Sequence, residues 1–476
     1  MKKIFIFILP AILLVSCVKS LDDYNVDIKN PGEVTAGSLF ANSTKVLSDV
    51  LTTPSVNTNV FRFWMQHWTA TTYQDEPRYD FVTRNIPLGF WTQFYREALM
   101  DLKTSKGIIE SDEFLDEAIK TNQVALTEIL SVYAWTVLVD TWGDVPYTEA
   151  LDINGHGQPA YDDAAGIYTD LFARLDAALD AIDPDIESFG VSDLIYGDDL
   201  NAWIKFGNSL KLKMAITLAD VDPATAESVY NEAKDLAFTS NADNATFQYQ
   251  SAAPNNNPVS DNLVPPFTSR KDYVIASTLA DKLNELEDPR RDMFFTDKVD
   301  GAYKGGTPGV TSPFDDFSHV SDLITDPTFE ALFLDYAQIE FIKAEAAERG
   351  WDTDAETHYN AAIQASLDYW GVSSADAATY LARPDVAWGT ASGDYKEKIG
   401  NQKWIALYNR GYDAWVEWRR LDYPELSPAS NADGPFPTRL PYVTSEYTTN
   451  GANVNEAAGR ISGGDVQESK VFWDVN

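Results

Sequence analysis

Residues 116–147 read DEAIKTNQVALTEILSVYAWTVLVDTWGDVPY, and the spacing of apolar residues within them decides the fold class. Val124, Ile129, Val132, Tyr133, Trp135 and Leu138 recur at helical intervals, which predicts a helix over 116–140. Its stop is written into the sequence. Gly143 can adopt the left-handed conformation just past the helix end, and Pro146 lacks the N–H that another turn would need. A periodic stretch at 90–109 precedes it, and the two are predicted to lie antiparallel.

The same pattern returns on either side of a different kind of sequence. Helices are predicted at 165–182, with Ile167, Leu171, Leu175 and Ala178 on one face, at 200–219, and at 223–238 with Pro223 in the first turn. They return at 328–349, 354–370, 395–409 and 412–421, with Gly350 and Gly371 as helix ends. Hairpins therefore occupy about 90–240 and 328–421. Residues 36–89, 241–327 and 423–476 read as loop-rich, with Pro54, Pro77, Pro87, Pro254, Pro258 and the stretch Gly301 to Gly309, interrupted by one helix at 273–286. The expected fold is all-α, a single domain over 36–476. Tetratricopeptide-like hairpins pack against an irregular lobe, without a clean repeat of about 34 residues.

With 476 residues, 44% hydrophobic and 13% aromatic, the chain can bury a large core, and disorder is excluded. A net charge of -37 repels phosphate backbones and so argues against nucleic acid as a partner. The single cysteine, Cys17, cannot form an intramolecular disulfide. It follows Lys2, Lys3, an apolar run from Ile4 to Val15 too short to span a bilayer, and the small residue Ser16. This pattern predicts a lipoprotein signal peptide at 1–16, acylation of Cys17 and a lipidated tether over 17–35. The acidic pair Asp22 and Asp23 follows closely, as in surface-exported lipoproteins.

Familiar catalytic patterns are missing. His67, His156, His319 and His358 lie far apart without second ligands at helical spacing, and no G-x-S-x-G, P-loop or dinucleotide fingerprint occurs. No cofactor is therefore required. Among 73 acids a glycosidase-like carboxylate pair is guaranteed by chance, so spacing neither supports nor removes that chemistry. Asp162-Asp163, Asp198-Asp199 and Asp315-Asp316 offer oxygen ligands to a structural calcium but sit in no EF-hand pattern, and read first as solvated acidic loops. Whether a metal is bound stays open.

Binding residues are sought where rings and planar polar groups concentrate in irregular sequence. Trp64, Gln66, Trp68, Tyr73, Gln74, Asp75, Arg78 and Tyr79 form one such group, with Asn256 and Arg270 as a second. Sugar C–H faces stack on rings while hydroxyls bond to amides, carboxylates and guanidiniums. The competing reading is that Trp64 and Trp68, four apart, share a helix face and belong to the core.

Five stretches together resemble one family: the lipobox Leu14 to Cys17, Trp142 to Tyr147, Ile342 to Gly350, Asn409 to Arg420 and Leu440 to Tyr447. The chain resembles the SusD/RagB family of Bacteroidetes outer-membrane nutrient-binding lipoproteins, most like its SusD-like branch. The resemblance implies the helical fold described above and a non-enzymatic role. It also implies anchorage to the outer membrane facing the exterior, and partnership with a SusC-like TonB-dependent barrel that imports captured ligand. Ligand residues vary between members, so Cys17 alone carries over. Oligosaccharide is the expected ligand. Oligopeptide capture, a surface glycoside hydrolase and a purely structural lipoprotein are the alternatives.

Overall fold

The computed structural model describes residues 34–475; Cys17, the lipobox and nearly all of the tether fall outside them. The chain is mainly helical. Its principal helices are α1 (Ala36–Thr52), α2 (Met100–Ser111), α3 (Glu117–Trp142), α4 (Ala164–Ala181), α5 (Leu200–Thr217), α6 (Pro223–Ala233), α7 (Tyr336–Glu348), α8 (Ala355–Tyr369), α9 (Tyr395–Ala406) and α10 (Gly411–Leu421). A helical stretch Ile86–Thr92 and a π-helical turn Gln93–Leu99 lead directly into α2. The strands among the described residues form four two-stranded pairs, so the all-α expectation holds for the architecture.

Helix α3 is the spine. Asp116 caps it, its carboxylate accepting from Ala118 N at 2.9 Å, and Gly143 closes it at φ 78°. From Ala125 to Trp142 nearly every side chain is buried, so the helix has lost its polar face. Helix α4 runs antiparallel to it: Tyr168 Oη donates to Asp140 at 2.5 Å, Arg174 pairs with Glu128 at 2.6 Å, and Asp183 N donates to Asn122 at 2.9 Å. The pairs α5/α6, α7/α8 and α9/α10 extend this stacking.

The four family-like stretches among the described residues meet in two places. Trp142 Nε1 donates to Pro441 O at 3.0 Å and Tyr442 Oη to Asp144 O at 2.8 Å, which fastens the end of α3 to the C-terminal segment. In the second, Arg420 on α10 donates both terminal nitrogens to the two carboxylate oxygens of Glu345 on α7, each at 2.6 Å. Glu417 joins Arg420 at 2.7 Å and Lys403 of α9 at 2.8 Å, while Arg349 joins Glu345 at 2.9 Å. Three helices thus share one buried charge network.

Helix α10 starts against backbone. A Cβ on Gly411 would stand 2.4 Å from Arg62 N and 2.7 Å from the Phe61 carbonyl carbon, where no side chain can swing aside. Gly411→Ala is therefore expected to cost about 1–3 kcal/mol of stability. Urea unfolding checks this, and an unchanged midpoint would show that the two segments are free to separate.

Four segments differ from the expectation. The tail 423–476, expected to be loop-rich, carries the short helices Thr444–Thr449 and Gly451–Arg460, the second burying only Val454 and Ala457, too few apolar positions to mark a helix. Residues 36–89 were expected to be loop-rich but open with the 17-residue α1. Its core face carries Ser43, Thr44 and Ser48, whose hydroxyls are satisfied by Ala98 O at 3.0 Å, Phe40 O at 2.9 Å and Thr44 O at 2.9 Å, so the hydrophobic period is masked by hydroxyl residues. The helix expected at 328–349 begins only at Tyr336. Ala331–Leu334 is a strand paired with Ala245–Phe247, and Asp335 caps the helix that follows. The helix expected at 273–286 likewise divides into a strand, Tyr273–Ile275, and a helix, Ser277–Glu285. In both cases a short, fully apolar run fits a buried strand as well as a helix.

Candidate functional site

The strand Trp68–Ala70 (β1) pairs antiparallel with Tyr273–Ile275 (β2) in the register Trp68↔Ile275, Thr69↔Val274 and Ala70↔Tyr273. Beyond the last pair the ribbon continues through Thr71, whose N–H donates to Asp272 O at 2.8 Å and whose hydroxyl donates to Lys271 O at 2.7 Å. This pairing brings the segment carrying Tyr73 beside the segment carrying Arg270, almost two hundred positions away. Between them lies a surface cleft of about 90 Å³ lined in part by Asn57, Tyr73, Glu76, Arg84, Asn262 and Arg270.

Tyr73 is 57% exposed, the one large ring among the sequence candidates that faces solvent. The cleft's charges cancel locally. Arg270 pairs with Asp272 at 3.1 Å, and Arg84 pairs with Glu76, whose side chain is buried. Burial pushes the Glu76 carboxyl above its ordinary value, and the Arg84 charge opposes that shift. The resulting surface offers an aromatic face, two guanidiniums with donors to spare and two side-chain amides. It suits a neutral ligand rich in hydroxyls or amides better than a charged one.

Most of the other candidates are core. Trp64 is fully buried, edge-on to Phe61 and Trp415 at 5.2 and 5.5 Å. Trp68, also buried, donates Nε1 to Tyr408 Oη at 3.0 Å, and the Arg62 guanidinium lies 4.9 Å over its ring. Gln66 donates to Ser427 O at 2.5 Å and Gln74 to Ala70 O at 2.7 Å, both out of solvent. The Tyr79 hydroxyl accepts from Ala429 N at 2.8 Å, and burial pushes its pKa up to about 12. Asn256 is buried and donates to Asp261 at 2.7 Å. These six positions are thus removed from direct ligand contact. Trp64, Gln66, Trp68 and Tyr79 bridge to segments distant in sequence, which is why they concentrate in an otherwise irregular stretch, whereas Gln74 and Asn256 bond locally. Asp75 is exposed, and half-buried Arg78 donates to Gly309 O at 2.9 Å, but neither lines the cleft.

Asn57, Arg84, Asn262 and Asp272 were not singled out from the sequence. Asn57, Arg84 and Asp272 sit among ordinary loop residues and Asn262 in the short helix Pro258–Leu263, and no local pattern marks them.

A second concavity, a groove of about 1010 Å³, opens among α2, α3 and α4. Its charges are engaged with one another. Burial would raise the Glu128 carboxyl, but Arg174 at 2.6 Å and Lys106 at 2.7 Å hold it below its ordinary value. Among the described residues no three His, Cys, Asp or Glu side chains converge as a metal site. Of the acidic pairs, Asp163 and Asp199 are helix caps, accepting from Gly166 N at 2.9 Å and Ala202 N at 3.2 Å. Buried His67 is held neutral, its pKa lowered to about 3 by burial and by the Arg62 charge, so it is no proton carrier near pH 7.

Residues 28–443 match the SusD-like family model, whose description is starch-binding and associating with the outer membrane. The chain belongs to the SusD-like family. Solved structures agree in fold. A chitin-binding protein is 26% identical with a TM-score of 0.79, over 93% of this chain and all of that one. A chitin-binding SusD homologue from Flavobacterium johnsoniae is 24% identical with a TM-score of 0.77, over 92% and 99% of the two chains. A SusD homologue from Bacteroides thetaiotaomicron is 23% identical with a TM-score of 0.77, over 93% and 100%. No curated protein matches the sequence. The paired stretches at Trp142 to Tyr147 and Leu440 to Tyr447, and at Ile342 to Gly350 and Asn409 to Arg420, hold the SusD-like fold together and lie outside the cleft.

Proposed function

We propose that this SusD-like protein is a non-enzymatic, lipid-anchored surface receptor that takes a neutral oligosaccharide in the Tyr73–Arg270 cleft. It passes the ligand to a SusC-like TonB-dependent barrel in the outer membrane. The observation that carries this reading is the charge-balanced cleft with one exposed ring. The family's starch-binding description and the chitin-binding names of two structural relatives support the same ligand class. A pyranose stacks its C–H face on Tyr73 while Arg84, Arg270, Asn57 and Asn262 bond to hydroxyl or acetamido groups. No water need be activated and no bond cleaved.

Calorimetric titration of the soluble chain beginning after Cys17, against starch- and chitin-derived oligosaccharides and against peptides, tests the reading. Saturable binding of an intact sugar is expected, with mass spectrometry finding no shortened product. Tyr73→Ala should weaken that binding by about 1–2 kcal/mol, roughly five- to thirtyfold, with an unchanged unfolding midpoint. Binding confined to peptides would overturn the ligand class, and cleaved sugar would overturn the non-enzymatic role.

A further inference from the structure

We propose that the Tyr73–Arg270 cleft is an acetamido pocket, which selects a sugar carrying N-acetyl groups over a plain glucan; this rests on the oligosaccharide-receptor reading above. Size decides what can enter. The cleft's volume of about 90 Å³ equals that of about three water molecules, each with a share of roughly 30 Å³. A pyranose with its substituents is too large for that space, so the ring stays outside against the exposed face of Tyr73 and one short substituent goes in.

The lining decides which substituent. Half-buried Val56 and buried Ala70 and Tyr273 give the cleft apolar wall, and the Tyr273 hydroxyl is spent on Pro54 O at 3.0 Å. Two ion pairs, Arg84 with Glu76 and Arg270 with Asp272 at 3.1 Å, bring guanidinium donors and carboxylate acceptors into the same small space. Asn262 donates its amide nitrogen to Pro258 O at 2.7 Å, so it presents its oxygen as a further acceptor. An acetamido group matches all three features. Its carbonyl accepts from a guanidinium, its N–H donates to a carboxylate or to the Asn262 oxygen, and its methyl covers the apolar wall. A hydroxyl or hydroxymethyl group leaves that wall against water. A carboxylate would be the third beside two cations that are already paired, and an ammonium would lack the methyl and meet both guanidiniums.

The test is calorimetric titration of the chain beginning after Cys17 with three β-1,4 tetrasaccharides that differ only at C2: chitotetraose, cellotetraose and the fully deacetylated amine. Chitotetraose should bind about tenfold more tightly than either of the others. Val56→Phe, which fills the space from a half-buried position, should bring that ratio to about one. Val56→Thr, equal in size with a hydroxyl in place of a methyl, should lower it about threefold. Equal affinities, or a preference for cellotetraose or the amine, would overturn the acetamido pocket and leave the sugar receptor standing. A preference that survives Val56→Phe in folded protein would place the acetyl group elsewhere and overturn it too. Failure of all three beside saturable binding of maltotetraose would overturn the pocket alone, whereas failure of every sugar would remove the receptor reading and the pocket with it.

Discussion

Trp64→Ala is expected to lower the unfolding free energy by about 3–5 kcal/mol, a larger loss than any change at the cleft should cause. The ring has no exposed surface and contacts Phe61, Phe81 and Trp415 at centroid distances of 5.2, 5.9 and 5.5 Å. Truncation removes the transfer energy of the indole and leaves a void that surrounding rings can fill only in part. Urea unfolding followed by ligand titration of the folded fraction checks both halves of the expectation. A variant that kept its stability and lost ligand would return Trp64 to the binding surface.

Removing Arg420 should be comparably damaging. Its guanidinium is the common partner of Glu345 and Glu417, so Arg420→Met leaves each of these buried carboxylates with one cation, Arg349 and Lys403 respectively, at a cost of about 3–5 kcal/mol. Arg420→Lys should recover only part of the loss, because one ammonium cannot reproduce the fork that holds both Glu345 oxygens. The network also sets an acid limit. Burial would raise the Glu417 carboxyl, but Arg420 and Lys403 hold it at about 2, below its ordinary 4.5. Since the folded value is the lower one, its contribution is complete above about pH 4.5 and is lost as the pH falls towards 2. Glu345 and Asp413, also held low by buried cations, add in the same direction. Unfolding midpoints measured from pH 6 to 2 should therefore fall steeply below 4.5 in the natural protein. In Arg420→Met, which starts lower, they should fall less.

The helices were legible because apolar residues recur at helical spacing over several turns, and α3, buried nearly all round, is marked most clearly by its Gly143 stop. Helix α1 was hidden by Ser43, Thr44 and Ser48, which occupy core positions that a hydrophobic pattern reads as polar. The cleft was half visible. Tyr73 and Arg270 were among the candidates, but their meeting depends on a three-residue ribbon between segments far apart in the chain, and local spacing carries no trace of that pairing. Trp64 and Trp68 misled for a related reason. An irregular segment still needs large side chains to fill its interior, and these rings do so.

The ribbon separates two duties along a few residues. Trp68 and Tyr273 face inward and hold the backbone, whereas Tyr73 and Arg270, just past its end, line the proposed cleft and take no part in the core. Substitutions at the outward positions are thus free to accumulate without passing through an unfolded protein. On the proposed function, a change of ligand needs exchanges only at the exposed cleft positions, while the ribbon that carries Tyr73 and Arg270 stays as it is.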